Sequence, residues 1–353
     1  MSKRRRQGEQ GQANCHCHDC TSSQHKSLYL VLDDWRMGFT IRKLDAHSPD
    51  LSAPPVLRLA SPVRNHSMEF AALGSNIIAT SNQCAATLVF DTETASLAMG
   101  NPLPDALRNA LNFFVTVGDD VLIAFAYYFM RQPHSFEVMT TAKDDMRPLC
   151  PSTDWSWKSM PTPPFAKSER INSYALHPDG RTIFVSAAGG DFPGGTFSFD
   201  TKNCEWTRHG EWMLPFQLQG YYDGDLDAWV GLHPDGYICS CQVPSLSTGD
   251  IQQPSWKIAK EHKMWKSRRQ VAEALGATLT YMGNSMFFLV DCEVAEGLEF
   301  QDAFRDPHGC VLHMATFRIK YNHEGKLRIL DKNTTSAPVS RQLPEFSPVA
   351  FWM

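Results

Sequence analysis

One pattern recurs along the chain: a short apolar run, a turn that contains glycine, and a second apolar run. It appears as FAALGSNIIAT, FFVTVGDDVLIAF, YALHPDGRTIFVS and TLTYMGNSMFFLV, with a degenerate copy, GYYDGDLDAWVGL, between the last two. Short apolar runs bounded by Gly, Asp, Asn and Pro are typical of strands joined by tight turns. Their recurrence predicts a repeat architecture built of similar antiparallel units.

The segment HPDGRTIFVSAAGGDFPGGTFSFDTKNCEWTRHGEW, which starts at His177, shows what one unit contains. HPDG predicts a tight turn, because proline presets φ and glycine tolerates the exit geometry. TIFVS and TFSFD predict two strands, and Gly189 and Gly190 end the first of them, where the backbone must bend or approach another backbone closely. Trp206 falls on a final edge strand. The unit is therefore a predicted four-stranded meander, which is the strand count of one propeller blade.

The spacing of tryptophans and the two chain ends set the predicted number of blades. Trp157, Trp206 and Trp256 follow one another at intervals of about 50 residues, a blade-length period that packing between neighbouring blades requires. Five units fit between about Ser67 and Asp331, and LYLVLDD, FTIRKLD and VLRLA add three strands that the terminal SPVAFWM completes. Such a closure removes open sheet edges. The sequence predicts a six-bladed β-propeller, with five or seven blades as alternatives because the fifth unit is degenerate.

Composition divides the 353 residues into two regions. Residues 1–26 are polar and lack a hydrophobic period, so they are predicted to form a disordered arm, and residues 27–353 are predicted to form a single β-propeller. The chain as a whole is 42% hydrophobic and 20% charged, which indicates a globular protein. Two short helices are predicted, DALRNAL after a cap at Asp105 and SRRQVAEALG from a cap at Ser267 to a stop at Gly276.

Charge and hydropathy narrow the classes of partner. Lys and Arg number 33 against 38 Asp and Glu, so no basic excess points to nucleic acid. No apolar run reaches the roughly 18 to 20 residues of a membrane span, and the amino-terminal residues are too polar for a secretory signal. We therefore expect a monomer in the cytoplasm, the nucleus or both, with its ten cysteines reduced. The basic run from Lys3 to Arg6 is either a nuclear import signal or an anion-binding tail.

A resemblance to kelch blades is carried by Gly189 and Gly190, by Phe199 and Asp200, and by Trp206 seven residues after that aromatic. In a kelch blade the double glycine ends the second strand, and an aromatic and a tryptophan mark the third and fourth. Together with LYLVLDDW, LDAWVGL and GATLTYMG, these segments also resemble a large family of kelch-like plant proteins, abundant in grasses and known only as a domain of unknown function. The resemblance implies a fold and brings no catalytic motif.

The amino-terminal sequence CHCHDC is the first candidate for chemistry. Cys15, Cys17 and Cys20, with the two histidines between them, are ligands that zinc or copper prefers. A structural zinc site takes two ligand pairs brought together by a fold, and no second pair follows nearby. We expect an unstructured thiol-bearing tail, with these three cysteines as the metal candidates.

Other polar clusters have simpler structural explanations. The two HPDG motifs contain His177 with Asp179 and His233 with Asp235; each is interpreted as a tight turn rather than an acid–base pair. An acidic run is interpreted as a solvated insertion in the last blade rather than a cation site, and it comprises Glu293, Glu296, Glu299, Asp302, Asp306 and His308. Cys239 and Cys241 share one face of a strand and are expected to be buried thiols.

No phosphate loop, nucleophile elbow or zinc-protease helix is present, so no catalytic, cofactor-binding or metal residue is assigned. The sequence favours a non-catalytic binding platform for a protein or peptide partner, in the form of a kelch-like recognition module without its own F-box. The alternative is an enzyme or a small-ligand or metal binder that uses the channel mouth. Three or more convergent metal ligands at that mouth would favour the alternative.

Overall fold

A computed structural model describes residues 26–84, 86–127, 134–141, 155–189, 192–246, 252–266, 274–304 and 306–353. This part of the chain is almost entirely β-structure. Its helical segments are a single 3-10 turn, Asp105–Leu107, and one short helix, α1 (Phe300–Ala303). No helix in the described ranges is long and apolar enough to cross a membrane.

The first half of the chain contributes eleven strands. They are β1 (Leu28–Trp35), β2 (Gly38–Leu44), β3 (Leu57–Ala60), β4 (Glu69–Leu73), β5 (Asn76–Thr80), β6 (Thr87–Asp91), β7 (Ser96–Met99), β8 (Leu111–Val117), β9 (Val121–Tyr127), β10 (Ser135–Thr141) and β11 (Trp155–Ser159). β4 to β7 form one antiparallel meander and β8 to β11 form the next.

The second half contributes thirteen strands. They are β12 (Arg170–Leu176), β13 (Thr182–Gly189), β14 (Phe192–Asp200), β15 (Glu205–Gly210), β16 (Gln217–Asp223), β17 (Ala228–Leu232), β18 (Ile238–Gln242), β19 (Trp256–Ile258), β20 (Ala274–Gly283), β21 (Met286–Val294), β22 (Cys310–Tyr321), β23 (Leu327–Val339) and β24 (Val349–Trp352). β12 to β15, β16 to β19 and β20 to β23 form three further meanders.

The two ends of the propeller meet in one sheet. β24 pairs antiparallel with β1, and the order in that sheet is β24, β1, β2, β3. Ser27 and Met353 extend the pairing through two backbone N–H to O hydrogen bonds, at N–O distances of 2.6 and 3.1 Å. The described residues thus form this closing sheet and five four-stranded antiparallel meanders, which we call blades one to six, starting from the sheet that contains both ends. The arrangement is a β-propeller.

The first strands of neighbouring blades lie against one another around an axis. β4 contacts β8, β16 contacts β20, and β20 contacts β24. β12 and β16 approach so closely that they pair in parallel, from Ser173 with Leu218 to Ala175 with Gly220, and this pairing joins blades four and five. These strands are the innermost of their blades, and the fourth strands lie on the outside.

Apolar residues fill the spaces between blades, and Trp206 shows how. Its ring lies between blades three and four, with centroids 5.0 Å from Phe199, 5.3 Å from Phe136 and 6.2 Å from Phe125. Its indole N–H donates to the Pro161 carbonyl at 3.0 Å. Aromatic pairs at these distances add stability beyond the area that they bury.

The other two periodic tryptophans lie on the equivalent outer strands, with different surroundings. Trp157 packs against the apolar cluster that includes Leu103, Leu107 and Ala124. Trp256 is 41% exposed and stacks on His233 of its own blade at 5.3 Å. The regular spacing therefore marks the outer strands, but it does not place all three rings between blades.

The described residues include the whole of one predicted helix and only the end of the other. DALRNAL forms only the 3-10 turn at Asp105–Leu107. The end of SRRQVAEALG, Ala274 to Gly276, begins strand β20, where Ala274 pairs with Glu293; residues 267–273 lie outside the described ranges. Long-range pairing with β21 overrides the local helical preference of this segment.

Gly189, the first residue of the double glycine, ends β13 where two backbones approach; Gly190 lies outside the described residues. Gly189 has φ of +149°, and a Cβ there would lie 2.6 Å from the Ser168 carbonyl oxygen. We expect Gly189→Ala to lower the free energy of unfolding by about 2 kcal/mol, because the backbone must shift to relieve this contact. Urea unfolding measures the change.

Gly224→Ala is the matched control for that substitution. A Cβ at Gly224 meets nothing within 4 Å. We expect its effect to stay within about 0.5 kcal/mol, as for surface substitutions in general. Equal losses in the two variants would contradict the explanation by close approach.

Candidate functional site

The first HPDG motif forms the turn between β12 and β13, and its polar groups serve the turn. The Asp179 carboxylate accepts hydrogen bonds from the backbone N–H groups of Arg181 and Thr182 at 3.0 and 2.9 Å, and from the Thr182 hydroxyl at 2.7 Å. Burial raises the pKa of Asp179, but these hydrogen bonds outweigh it and lower the pKa to about 2. Asp179 is therefore ionised, and its carboxylate oxygens are engaged in hydrogen bonds within the turn.

The second HPDG motif joins β17 to β18, the second and third strands of blade five, whereas the first motif joins the first and second strands of blade four. The Asp235 N–H donates to His233 Nδ1 at 3.2 Å, as the Asp179 N–H does to His177 Nδ1 at 3.1 Å. Burial lowers the pKa of His233. The structure keeps the two motifs in separate blades and does not assemble a joint site from them.

The remaining sequence candidates lie apart from one another or outside the described ranges. The acidic run lies on β21 at Glu293 and then in the β21–β22 connection that contains α1. Cys239 and Cys241 are buried free thiols with pKa values raised by burial. Cys15, Cys17 and Cys20 fall outside the described residues. Within the described part of the chain, no group of three or more His, Cys, Asp or Glu residues is placed to hold a metal ion.

A cavity of about 760 Å³ opens at one end of the propeller axis, and we call it the channel mouth. It lies at the end where the innermost strands turn into the second strands, next to Gly74 of the β4–β5 turn and Gly118 of the β8–β9 turn. Ser27 and Met353 also line it, so both ends of the described propeller meet there.

Each of the six innermost strands contributes an aromatic ring to the channel mouth, in addition to Trp352 of β24. The six are Phe351 of β24, Phe70 of β4, Phe114 of β8, Tyr174 of β12, Tyr221 of β16 and Tyr281 of β20. The three phenylalanines come from blades one to three and the three tyrosines from blades four to six. The mouth is therefore apolar on one side, and on the other it offers hydroxyl groups.

The tyrosine side is neutral at physiological pH and partly engaged in hydrogen bonds. The Tyr174 hydroxyl lies 3.5 Å from the Phe114 carbonyl oxygen and 3.4 Å from Gln219 Oε1. Burial raises the pKa values of Tyr174 and Tyr221 above their ordinary value, so both hydroxyls keep their protons and act as donors.

Charged side chains form the rim of the mouth. Lys26, Lys43, Glu93 and Asp119 line it, so both signs of charge are present. The Lys43 ammonium lies 5.9 Å from the centre of the Tyr29 ring, within the range of a cation–π interaction. Aromatic rings, hydroxyl groups and charges of both signs therefore line the same cavity.

The sequence carries a signal for this aromatic set near the predicted turns. In the repeats FAALG, FVTVG, YALHPDG, YYDG and YMG, an aromatic residue stands shortly before the turn. Those turns are the ones that link each innermost strand to the second strand of its blade. The distance from this aromatic residue to the turn glycine varies from two to six residues, so the sequence indicates aromatic residues near these turns but does not predict a common depth in the channel.

Comparisons with known proteins agree with this fold. A family model described as "Protein of unknown function (DUF1668)" matches residues 25–337. No curated protein sequence matches the chain. TolB from Acinetobacter baumannii is similar at 12% identity and a TM-score of 0.48, over 93% of this chain and 66% of TolB.

Two further solved structures are similar at the same level. The periplasmic gluconolactonase of Pseudomonas aeruginosa has 12% identity and a TM-score of 0.48, over 92% of this chain and 98% of its own. The Cps50 (Swd1) β-propeller domain of Myceliophteria thermophila has 10% identity and a TM-score of 0.39, over 86% and 82%. At these identities the likeness concerns the fold alone.

Proposed function

The chain belongs to the family described as DUF1668, of unknown function, and we propose that its channel mouth is a non-catalytic binding site for a peptide segment of a protein partner. The observation that carries this proposal is the set of six aromatic rings, one from each innermost strand, around a cavity of about 760 Å³. Because every blade contributes, the rings are held by the whole propeller and are pre-organised for binding.

The chemistry of the mouth suits a peptide. Aromatic residues are enriched where protein interfaces concentrate their binding energy, since they bury a large area with few rotatable bonds. The hydroxyls of Tyr174 and Tyr221 and the amide of Gln219 supply the few oriented polar groups that an extended backbone needs. The rim charges at Lys43 and Asp119 then select for a complementary sequence.

In its concrete form this is a recognition module of the kelch type, as the blade motif at Gly189, Phe199 and Trp206 predicts. We also propose that it works in the cytoplasm or the nucleus, in line with the basic run that starts at Lys3. Fluorescence microscopy of the tagged full chain tests the location. The partner itself is identified by affinity purification of the full chain followed by mass spectrometry.

Affinity purification of variants with substitutions in the channel mouth tests whether the partner binds there. Tyr221→Ala removes a ring from the mouth, and Lys43→Glu reverses an exposed rim charge. We expect each to reduce recovery of the partner at least about tenfold, because such anchors contribute more than about 1.4 kcal/mol. Thermal unfolding of each variant verifies that the propeller remains folded.

Two outer-edge substitutions are the matched controls. Trp256→Ala removes an exposed ring from the outer strand of blade five, and Lys202→Glu reverses a charge on the β14–β15 turn. We expect both variants to recover the partner as the unaltered chain does. A partner retained by the mouth variants and lost in either control would move the binding site to the outer edge.

A further inference from the structure

A second cavity, of about 540 Å³, lies beside blade six and away from the channel mouth. One wall is the segment Lys263 to Lys266, which follows β19 of blade five. The opposite wall is the face of β21, β22 and β23 that carries Asp291, His313 and Ser336, which lie directly opposite one another across the three strands. The proposed function of the channel mouth makes no use of this cavity.

Two side chains that line this cavity carry buried polar atoms without a hydrogen-bond partner in the described structure. They are the Oδ1 oxygen of Asp291 and the indole Nε1–H of Trp265, in residues only 3% and 4% exposed. Native proteins pair nearly all such atoms, with protein groups, water or ligands. The Asp291 oxygen requires a hydrogen-bond donor as its partner, whereas the Trp265 indole N–H requires an acceptor.

The neighbouring polar groups are already engaged with one another. Lys266 Nζ lies 2.6 Å from Glu293 Oε2, and its backbone N–H donates to Asp291 Oδ2 at 3.3 Å. His313 Nδ1 lies 2.7 Å from the Ser336 hydroxyl, and His313 Nε2 lies 3.7 Å from Glu293 Oε1. These contacts leave Asp291 Oδ1 and Trp265 Nε1 without a hydrogen-bond partner in the described structure.

We propose that this cavity binds a small zwitterion of the amino-acid class, with its ammonium group on Asp291 Oδ1 and its carboxylate on the Trp265 N–H. A ligand with a cation alone would leave the indole N–H unpaired, and a ligand with an anion alone would leave the carboxylate oxygen unpaired. Lys332, which also lines the cavity, adds positive charge for the carboxylate. Leu289, Met264 and Ala315 supply apolar surface for a side chain.

The size of the cavity agrees with this ligand class. Small-molecule sites in proteins occupy about 300 to 1,000 Å³ and combine apolar walls with a few convergent polar groups. The cavity has about 540 Å³ and both kinds of lining. It therefore has room for an amino acid together with some water.

Binding should depend on pH through Asp291. Burial raises the pKa of Asp291 to about 7, and the charged or titratable groups around it are Glu293, His313, Lys263, Lys266 and Lys332. An ammonium group binds the ionised carboxylate, so affinity should rise as the pH increases from 6 to 8, with release of a proton.

Isothermal titration calorimetry of the full chain with each of the twenty common amino acids tests the proposal. The tightest binder is then compared with the amine that lacks its carboxylate and the acid that lacks its amino group. We expect each single-charge analogue to bind at least about tenfold more weakly. The proposal would be overturned if no amino acid gave a heat of binding at about 10 mM, a concentration that detects even weak binding. It would also be overturned if either analogue bound as tightly as the amino acid.

Substitutions test whether the amino acid binds in this cavity. Asp291→Asn and Trp265→Phe keep the shape of each side chain and remove the charge or the N–H, and each should weaken binding at least about tenfold. Asp306→Asn and Trp256→Phe make the same changes outside the cavity and should leave binding unchanged. Unchanged affinity in both cavity variants would refute the location. If Trp265→Phe fails to fold, the analogue comparison and the pH dependence of the unaltered chain still decide the question.

Discussion

Asp33→Ala is expected to destabilise the propeller by about 4 kcal/mol, since removing one partner of a buried ion pair leaves the other charge buried and unpaired. Asp33 and Arg341 are both fully buried and form an ion pair. The Asp33 carboxylate also accepts hydrogen bonds from the backbone N–H groups of Gln342 and Leu343, at 3.0 and 2.6 Å. Alanine would therefore remove three interactions at once.

These interactions hold the ring closed. Asp33 lies on β1, near the start of the described propeller, and Arg341 lies between β23 and β24, near its end. The Arg341 guanidinium also donates to the Phe346 carbonyl at 2.6 Å, which fixes the segment that leads into β24. Urea unfolding should show the loss, and proteolysis near residue 345 should accelerate because the closing segment is released.

The adjacent aspartate supplies the control for this prediction. Asp34 pairs with Arg42 at 2.9 Å within blade one and does not touch the closing segment. We expect Asp34→Ala to cost about 1 kcal/mol, as for pairs that retain contact with water. The double variant Asp33→Ala with Arg341→Met should be more stable than Asp33→Ala alone, because no unpaired charge remains. A loss below about 1 kcal/mol in Asp33→Ala would show that the pair does not hold the ring closed.

Glu69→Gln is expected to stabilise the protein at pH 8.5 by about 3 kcal/mol and to have little effect near pH 4.5. Glu69 begins β4, and its Oε2 atom is buried without a hydrogen-bond partner in the described structure. Burial raises its pKa from 4.5 to about 8. Each pKa unit corresponds to about 1.4 kcal/mol, and local relaxation reduces the full value to the figure above.

The sign of this pH dependence of stability follows from the proton that the folded protein retains on Glu69. Between pH 4.5 and 8 the unfolded chain releases the Glu69 proton while the folded chain keeps it, so stability falls as the pH rises through this interval. Glutamine has no proton to lose and removes this slope. Thr80 and Thr87 lie opposite Glu69 across the sheet, and their hydroxyls also lack partners in the described structure.

Urea unfolding of the two proteins at about pH 4.5, 6, 7.5 and 8.5, which covers the interval between the ordinary and the raised pKa of Glu69, measures the slope. Glu93→Gln is the control, since Glu93 is exposed at the rim of the channel mouth and should leave the pH dependence unchanged. Parallel curves for Glu69→Gln and the unaltered protein would mean that Glu69 is ionised in the folded state throughout.

The class of fold was predictable from the sequence because its signals are local. The repeat FAALGSNIIAT becomes β4, a turn at Gly74 and β5, and HPDG becomes the turn before β13. A turn residue and the apolar residues beside it act within a few positions, so pattern alone locates strands and turns. The same reasoning failed at Ala274 to Gly276, where pairing with β21 lies beyond the reach of a local pattern.

The sites depend on contacts between residues far apart in the chain. The channel mouth needs Phe70 and Phe351 on neighbouring blades, the closing ion pair joins Asp33 to Arg341, and the second cavity brings Trp265 to Asp291. Which face of a strand becomes buried, and which polar atom loses its partner, is set by the register and rotation of each blade against the next. Local patterns therefore identified strands and turns in this chain, whereas the closing of the ring determined which side chains meet, because burial and pairing are properties of the assembled sheets.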